Sequence, residues 1–178
     1  MSERLVLVLG GTRSGKSTFA LQRVRELSAD RPIAYLATAE PGDPELDDRI
    51  NRHRAARPAD WPTIDVGTDL PAAVKRAGAD HTLLLDGLTL WLSWIAPAPV
   101  GQIDALLAGP VARAMLALSA HPAPVVVVSD EIGLGMVPMD EGARAFRDLQ
   151  GIVHQQLAAL ADEVLLTVAG LPLTLKTS

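Results

Sequence analysis

An apolar run, Arg4–Leu9, leads without a break into Gly10-Gly11-Thr12-Arg13-Ser14-Gly15-Lys16-Ser17, and an amphipathic stretch follows. Glycines at these spacings let the backbone curl until successive N–H groups point inward, and the start of the next helix adds the positive end of its dipole. A strand, a glycine loop and a helix in that order require a buried strand beneath the loop, which commits the chain to an α/β architecture. The octapeptide satisfies the phosphate-binding pattern G-x-x-x-x-G-K-[ST] in full. Gly10, Gly11, Thr12, Arg13, Ser14 and Gly15 are expected to cradle the phosphates of a purine nucleoside triphosphate. Lys16 would reach the β- and γ-phosphates, and the Ser17 hydroxyl is placed to ligate Mg²⁺.

The rest of the chain repeats the alternation. Aliphatic runs that are apolar on both faces predict strands at Ile33–Thr38, Thr82–Asp86, Val125–Asp130 and Glu163–Ala169, with weaker candidates at Thr63–Val66 and Leu173–Lys176. Helices are expected over about 15–28, 43–56, 70–77, 87–95, 102–120 and 141–161, and Gly109-Pro110 should kink or split the fifth. In the last one, Phe146, Leu149, Val153, Leu157 and Leu160 share a stripe predicted to be buried, while Arg147, Gln150 and His154 run along its flank. A chain of 178 residues fits one domain, residues 1–178, with a mainly parallel central sheet flanked by helices.

Two aliphatic runs end in acids that could hold the metal, Leu83-Leu84-Leu85-Asp86 and Val125–Val128 followed by Ser129-Asp130-Glu131. Both lie at the carboxyl ends of expected parallel strands, the edge where open α/β sheets bind ligands. Either could instead cap the helix that follows. A net charge of −5 argues against a nucleic-acid partner. The absence of cysteine excludes disulfides, thiolate metal sites and a cysteine nucleophile. The apolar stretch Leu83–Val100 is broken by Asp86, Gly87, Pro97 and Pro99, so no membrane span is expected, and the start of the chain lacks the pattern of a signal peptide. A cytoplasmic location is expected.

The segment Asp43–Pro58 reads as a charge-laced helix with Asp43 as cap and Pro44 in the first turn. Arg49, Arg52, His53, Arg54 and Arg57 crowd its far end. A solvated helix with an idle histidine accounts for this pattern; so does a guanidinium cluster that receives a triphosphate or a pyrophosphate leaving group. His81 and His121 read as structural or exposed.

These segments together resemble the bifunctional adenosylcobinamide kinase / adenosylcobinamide-phosphate guanylyltransferase family of cobalamin biosynthesis. The resemblance rests on Gly10–Ser17, Tyr35-Leu36-Ala37-Thr38-Ala39, Asp48-Arg49-Ile50 with His53 and Arg57-Pro58-Ala59-Asp60-Trp61. It continues through Leu84-Leu85-Asp86, Val126–Pro138, Arg144–Gly151 and Leu157–Val164, in order over nearly the whole chain. It implies a RecA-like P-loop fold, a homotrimer and two reactions. ATP or GTP would phosphorylate the aminopropanol hydroxyl of adenosylcobinamide, and GMP would then pass from GTP to that phosphate through a guanylyl-histidine. His53 matches the guanylylated histidine. Lys16 and Glu131 are the other expected catalytic residues, Arg49, Arg52, Arg57 and Asp86 join the loop in binding nucleotide, and Ser17 and Asp86 are the expected Mg²⁺ ligands. Relatives usually read V-N-Q-R-L where this chain reads Val153-His154-Gln155-Gln156-Leu157. His154 is read as a helix-flank contact, with a second catalytic histidine as the alternative. A plain P-loop small-molecule kinase, and a RecA-like ATPase acting on nucleic acid, are the competing readings. A GMP-protein adduct would separate the first from the bifunctional enzyme, and DNA-stimulated hydrolysis would revive the second.

Overall fold

The computed structural model describes residues 4–39, 58–96 and 102–177. Strand β1 (Leu5–Gly10) is buried along its whole length, as a strand covered by helices on both faces must be. Side chains alternate across a strand, so Leu5 and Leu7 enter one core while Val6 and Val8 enter the other. The first core receives α2 (Leu70–Ala77), α3 (Leu88–Ile95), α5 (Ala112–Ser119) and α6 (Glu141–Leu160). The second receives α1 (Lys16–Ser28) through Ala20 and Val24. Each fully buried leucine or valine contributes about 1.5–3 kcal/mol, and this two-sided burial holds the loop-bearing strand rigid.

β1 pairs in parallel with β5 (Val125–Asp130) and β6 (Glu163–Val168). Beyond β5 lie β4 (Thr82–Asp86), β2 (Ile33–Ala37) and β3 (Thr63–Asp65), all parallel. The order is β3-β2-β4-β5-β1-β6-β7, with β7 (Leu171–Thr177) antiparallel at one edge. One strand, β5, therefore separates the loop-bearing strand from the strand that ends in Asp86. Register does the positioning: Gly10 lies opposite Asp130, and Asp86 lies opposite Val128. The phosphate loop and both acidic strand ends thus meet at one edge of the sheet.

The expected strands and helices within the described residues are present, with ends moved by one or two residues. The helix expected at 43–56 lies outside the described residues. The fifth helix is not broken at Pro110. It runs as α4 (Ile103–Leu106), a π-helical turn (Leu107–Val111) and α5, the wider turn accommodating the proline that lacks an N–H. β7 is longer than Leu173–Lys176 and contains Pro172, which a sheet tolerates on an edge strand. β6 and β7 join through Ala169 and Gly170, both at positive φ (52° and 80°), the mark of a type I′ hairpin turn. Two expectations for α6 are corrected. Leu160 is exposed at the end of the stripe, whereas Gln150 and His154, expected on a flank, are buried. The reason is that α6 lies against the β5 edge, where polar partners are waiting.

Candidate active site

Gly15 caps the start of α1, and its φ of 94° is one no L-residue adopts without strain. A Cβ on Gly10 would collide with Ser14 Oγ and lie 2.8 Å from Thr167 O, so only glycine fits beneath the loop. The β6–β7 turn braces the loop from outside, Gly170 N–H donating to Ser14 O at 2.8 Å. Nothing in the octapeptide pattern signals this brace, because it depends on a hairpin more than 150 residues away in the chain.

Lys16 is buried, with Nζ 2.6 Å from Asp130 Oδ1 and donating to Gly11 O at 3.2 Å. The acid at the end of β5 thus offsets the charge of the buried lysine. Ser17 donates to Asp86 Oδ1 at 3.3 Å, and Tyr35 donates to Asp86 Oδ2 at 2.8 Å. The three candidate acids therefore divide: Asp86 stands beside Ser17, Asp130 pairs with Lys16, and Glu131 faces α6. A hydroxyl and a carboxylate offer the hard oxygen donors that Mg²⁺ prefers, and such sites are completed by substrate phosphates and water. Among the described residues no cluster of three or more His, Asp or Glu side chains could hold a metal ion. Tyr35 was not foreseen as part of the site. The signal available was a lone phenol in an aliphatic strand, since a buried tyrosine hydroxyl seeks a partner.

Behind Lys16 and Asp130 lies a buried polar layer. Thr89 Oγ1 accepts from Asp130 N–H at 2.8 Å and from Gln150 Nε2 at 2.8 Å. Gln150 Nε2 also donates to Asp130 O at 2.5 Å. Ser129 Oγ lies 3.1 Å from Thr89 Oγ1 and 2.7 Å from His154 Nε2. His154 Nδ1 stands 3.6 Å from Glu131 Oε2, and Gly133 N–H donates to Glu131 Oε1 at 2.5 Å. Burial depresses the His154 pKa below its ordinary 6.5, against the opposing pull of Glu131 and Asp130. His121 is also buried, its Nε2 2.8 Å from the His81 carbonyl, which fits the structural role expected of it.

The loop after Glu131 is tied down by α6. Arg144 donates to Pro138 O and Met139 O at 3.0 and 2.7 Å, and Arg147 donates to Met136 O at 2.9 Å and to Gly133 O. Asp140 caps α6 by accepting from Ala143 N–H at 2.8 Å. Arg49, Arg52, His53 and Arg57 lie outside the described residues.

A glycine loop between a buried parallel strand and a helix, with a lysine and a strand-end carboxylate converging on it, defines a P-loop nucleotide-binding protein. The chain belongs to the cobinamide kinase / cobinamide phosphate guanyltransferase family, whose model matches residues 6–175. It is 40% identical over 171 residues to the bifunctional adenosylcobalamin biosynthesis protein CobP of Pseudomonas aeruginosa, covering 96% of both chains. It is 35% identical to the corresponding CobU protein of Salmonella typhimurium and 34% identical to that of Escherichia coli, each match covering 97% of this chain and 99% of the relative. Among solved structures it is similar to a KaiC-like protein of Pyrococcus horikoshii, with 15% identity, a TM-score of 0.48, and coverage of 92% of this chain and 70% of that one.

Proposed function

We propose that this chain is the bifunctional enzyme of its family, phosphorylating adenosylcobinamide and then transferring GMP from GTP to the resulting phosphate. The observation that carries the kinase half is the convergence of Lys16, Ser17 and Asp86 on one loop, with Ser17 Oγ 3.3 Å from Asp86 Oδ1. Loop N–H groups and Lys16 hold the β- and γ-phosphates, while Ser17 and Asp86 hold Mg²⁺, which offsets charge on the transferred phosphoryl group. The cobinamide hydroxyl attacks the γ-phosphorus, its proton passes to the Glu131 carboxylate, and the nucleoside diphosphate leaves. Asp130 Oδ1, 2.6 Å from Lys16 Nζ, fixes the lysine at the loop.

The transferase half rests on His53. Neutral imidazole attacks the α-phosphorus of GTP, pyrophosphate departs, and the phosphoramidate is attacked by the cobinamide phosphate oxygen, which returns the histidine free. Arg49, Arg52 and Arg57 would offset charge on the leaving pyrophosphate. Two in-line displacements predict net retention at phosphorus. Among the described residues no helix is long and apolar enough to cross a membrane. A cytoplasmic enzyme of one domain, assembled as a homotrimer and independent of nucleic acid, completes the reading.

The test is labelling with GTP carrying ³²P at the α or the γ position, in the presence of Mg²⁺, of the protein and of its His53→Ala variant. Label from α alone, stable in base, labile in acid and absent from the variant, is the expected result. No α label on protein that binds GTP would refute the histidine route and leave a monofunctional P-loop kinase.

A further inference from the structure

Counting donors and acceptors in the layer behind the loop assigns every proton in it. Thr89 Oγ1 already accepts two hydrogen bonds, from Asp130 N–H and Gln150 Nε2, so its own proton goes to Ser129 Oγ, 3.1 Å away. The Gln150 amide has its nitrogen toward the Asp130 carbonyl at 2.5 Å, where an oxygen could not sit, so it donates throughout. Ser129, accepting from Thr89, gives its proton to His154 Nε2 at 2.7 Å. Nε2 is therefore the acceptor nitrogen, and Nδ1 of the neutral ring carries the hydrogen. That Nδ1 faces Glu131 Oε2 at 3.6 Å. The distance is longer than a formed hydrogen bond, and such contacts often tighten only when substrate is bound.

We infer that His154 is a positioning residue for the phosphoryl-transfer step, its Nδ1–H and the Gly133 N–H holding the two oxygens of the Glu131 carboxylate toward the incoming hydroxyl. The inference rests on Glu131 as the base of the kinase reaction. Ser129, His154 and Glu131 stand in the order of a nucleophilic triad, but Ser129 is fully buried and its proton is committed inward, so the relay serves the carboxylate and not the serine. The layer also ties the base to the loop. Gln150 and Thr89 hold the backbone of Asp130, whose side chain pairs with Lys16. The depressed pKa of His154, caused first by burial, keeps the ring in the neutral form this role needs. The acids that face it are Glu131 and Asp130. Around the ring stand Ser129 of β5 and Gln150 of α6, with Thr89 of α3 behind Ser129.

The two ring nitrogens can be tested separately, because an asparagine amide overlays Nδ1 and a glutamine amide overlays Nε2. His154→Gln keeps a partner for Ser129, and with it the folded layer, but loses the donor toward Glu131. His154→Asn restores that donor. Steady-state phosphorylation of adenosylcobinamide should show Glu131→Gln slower by about a hundredfold or more, and His154→Gln slower in kcat by about tenfold with KM for nucleotide held within about twofold. His154→Asn should recover to within about threefold of the parent. In the Glu131→Gln background, adding His154→Gln should change kcat by less than about twofold, since the residue acts only through the carboxylate. Multiplying losses in the double variant, or equal rates for His154→Asn and His154→Gln, would overturn the positioning role and leave Glu131 as base. Parental activity of Glu131→Gln would overturn both. Thermal melts of each variant separate these rate effects from loss of fold.

Discussion

Replacing Gly15 by alanine should damage the loop in a way that replacing its neighbours does not. Gly15 has φ 94° and ψ 1°, so an alanine there enters the left-handed region at about 1–2 kcal/mol. Its Cβ would stand 2.9 Å from Gly170 Cα, inside any normal contact. The obstacle is backbone, held by the Gly170 N–H bond to Ser14 O at 2.8 Å, so relief means parting the β6–β7 turn from the loop. Losing that bond adds about 1 kcal/mol. The sum, about 2–3 kcal/mol for Gly15→Ala, stands against two internal controls. Gly170→Ala has φ 80° but nothing within 4 Å of the new Cβ, so it carries backbone strain alone, about 1–2 kcal/mol. Gly11→Ala has neither positive φ nor a neighbour within 4 Å and should be neutral or stabilising by about 0.5 kcal/mol. Urea unfolding of the nucleotide-free proteins measures all three. Calorimetric ATP titration should show binding lost in Gly15→Ala, because displacing the turn moves the N–H groups that meet the phosphates. Equal midpoints for Gly15→Ala and Gly170→Ala would refute the brace, and a marked loss in Gly11→Ala would refute the strain argument.

Three further outcomes are expected. His154 has a pKa below 6.5 in the folded protein, so the unfolded chain takes up its proton first. The histidine's contribution is full above pH 6.5 and falls away as pH drops from there toward the folded value, and the urea midpoint of His154→Asn should lose less than the parent over that span. Asp162 Oδ2 accepts from the N–H groups of Leu5 and Arg4 at 2.9 and 2.8 Å, and these bonds hold its pKa below 3.8. Asp162→Ala should cost about 1 kcal/mol at pH 7, and the difference from the parent should vanish as acid protonates the carboxyl below pH 3.8. Tyr35→Phe removes the hydroxyl that orients Asp86 at 2.8 Å, and should lower Mg²⁺-dependent phosphoryl transfer by about tenfold while leaving the unfolding midpoint nearly unchanged. An unaltered rate would show that Ser17 and the metal suffice to place Asp86.

The fold class and the phosphate site could be read from the chain because both are local. Continuous short aliphatic runs, apolar on both faces, mark parallel strands, and Gly10 to Ser17 is an unbroken strand–loop–helix whose chemistry depends on adjacent residues. Asp86 was legible for the same reason, as an acid ending such a run. What the three acids do was not legible. Their division, with Asp86 beside Ser17, Asp130 on Lys16 and Glu131 toward His154, follows from the strand order that inserts β5 between β4 and β1. The same holds for Tyr35, two strands from β5 and beside Asp86, and for Gly170, which braces Ser14 from the far end of the chain. His154 and Gln150 show the limit most clearly. Helical periodicity placed them beside the apolar stripe, on the assumption that polar side chains seek water. Only the packing of α6 against the carboxyl end of β5 supplied Ser129, Thr89 and the Asp130 carbonyl as partners. The Gln150 amide N–H groups and His154 Nε2 have partners that are brought together by the tertiary structure rather than by neighbours in sequence.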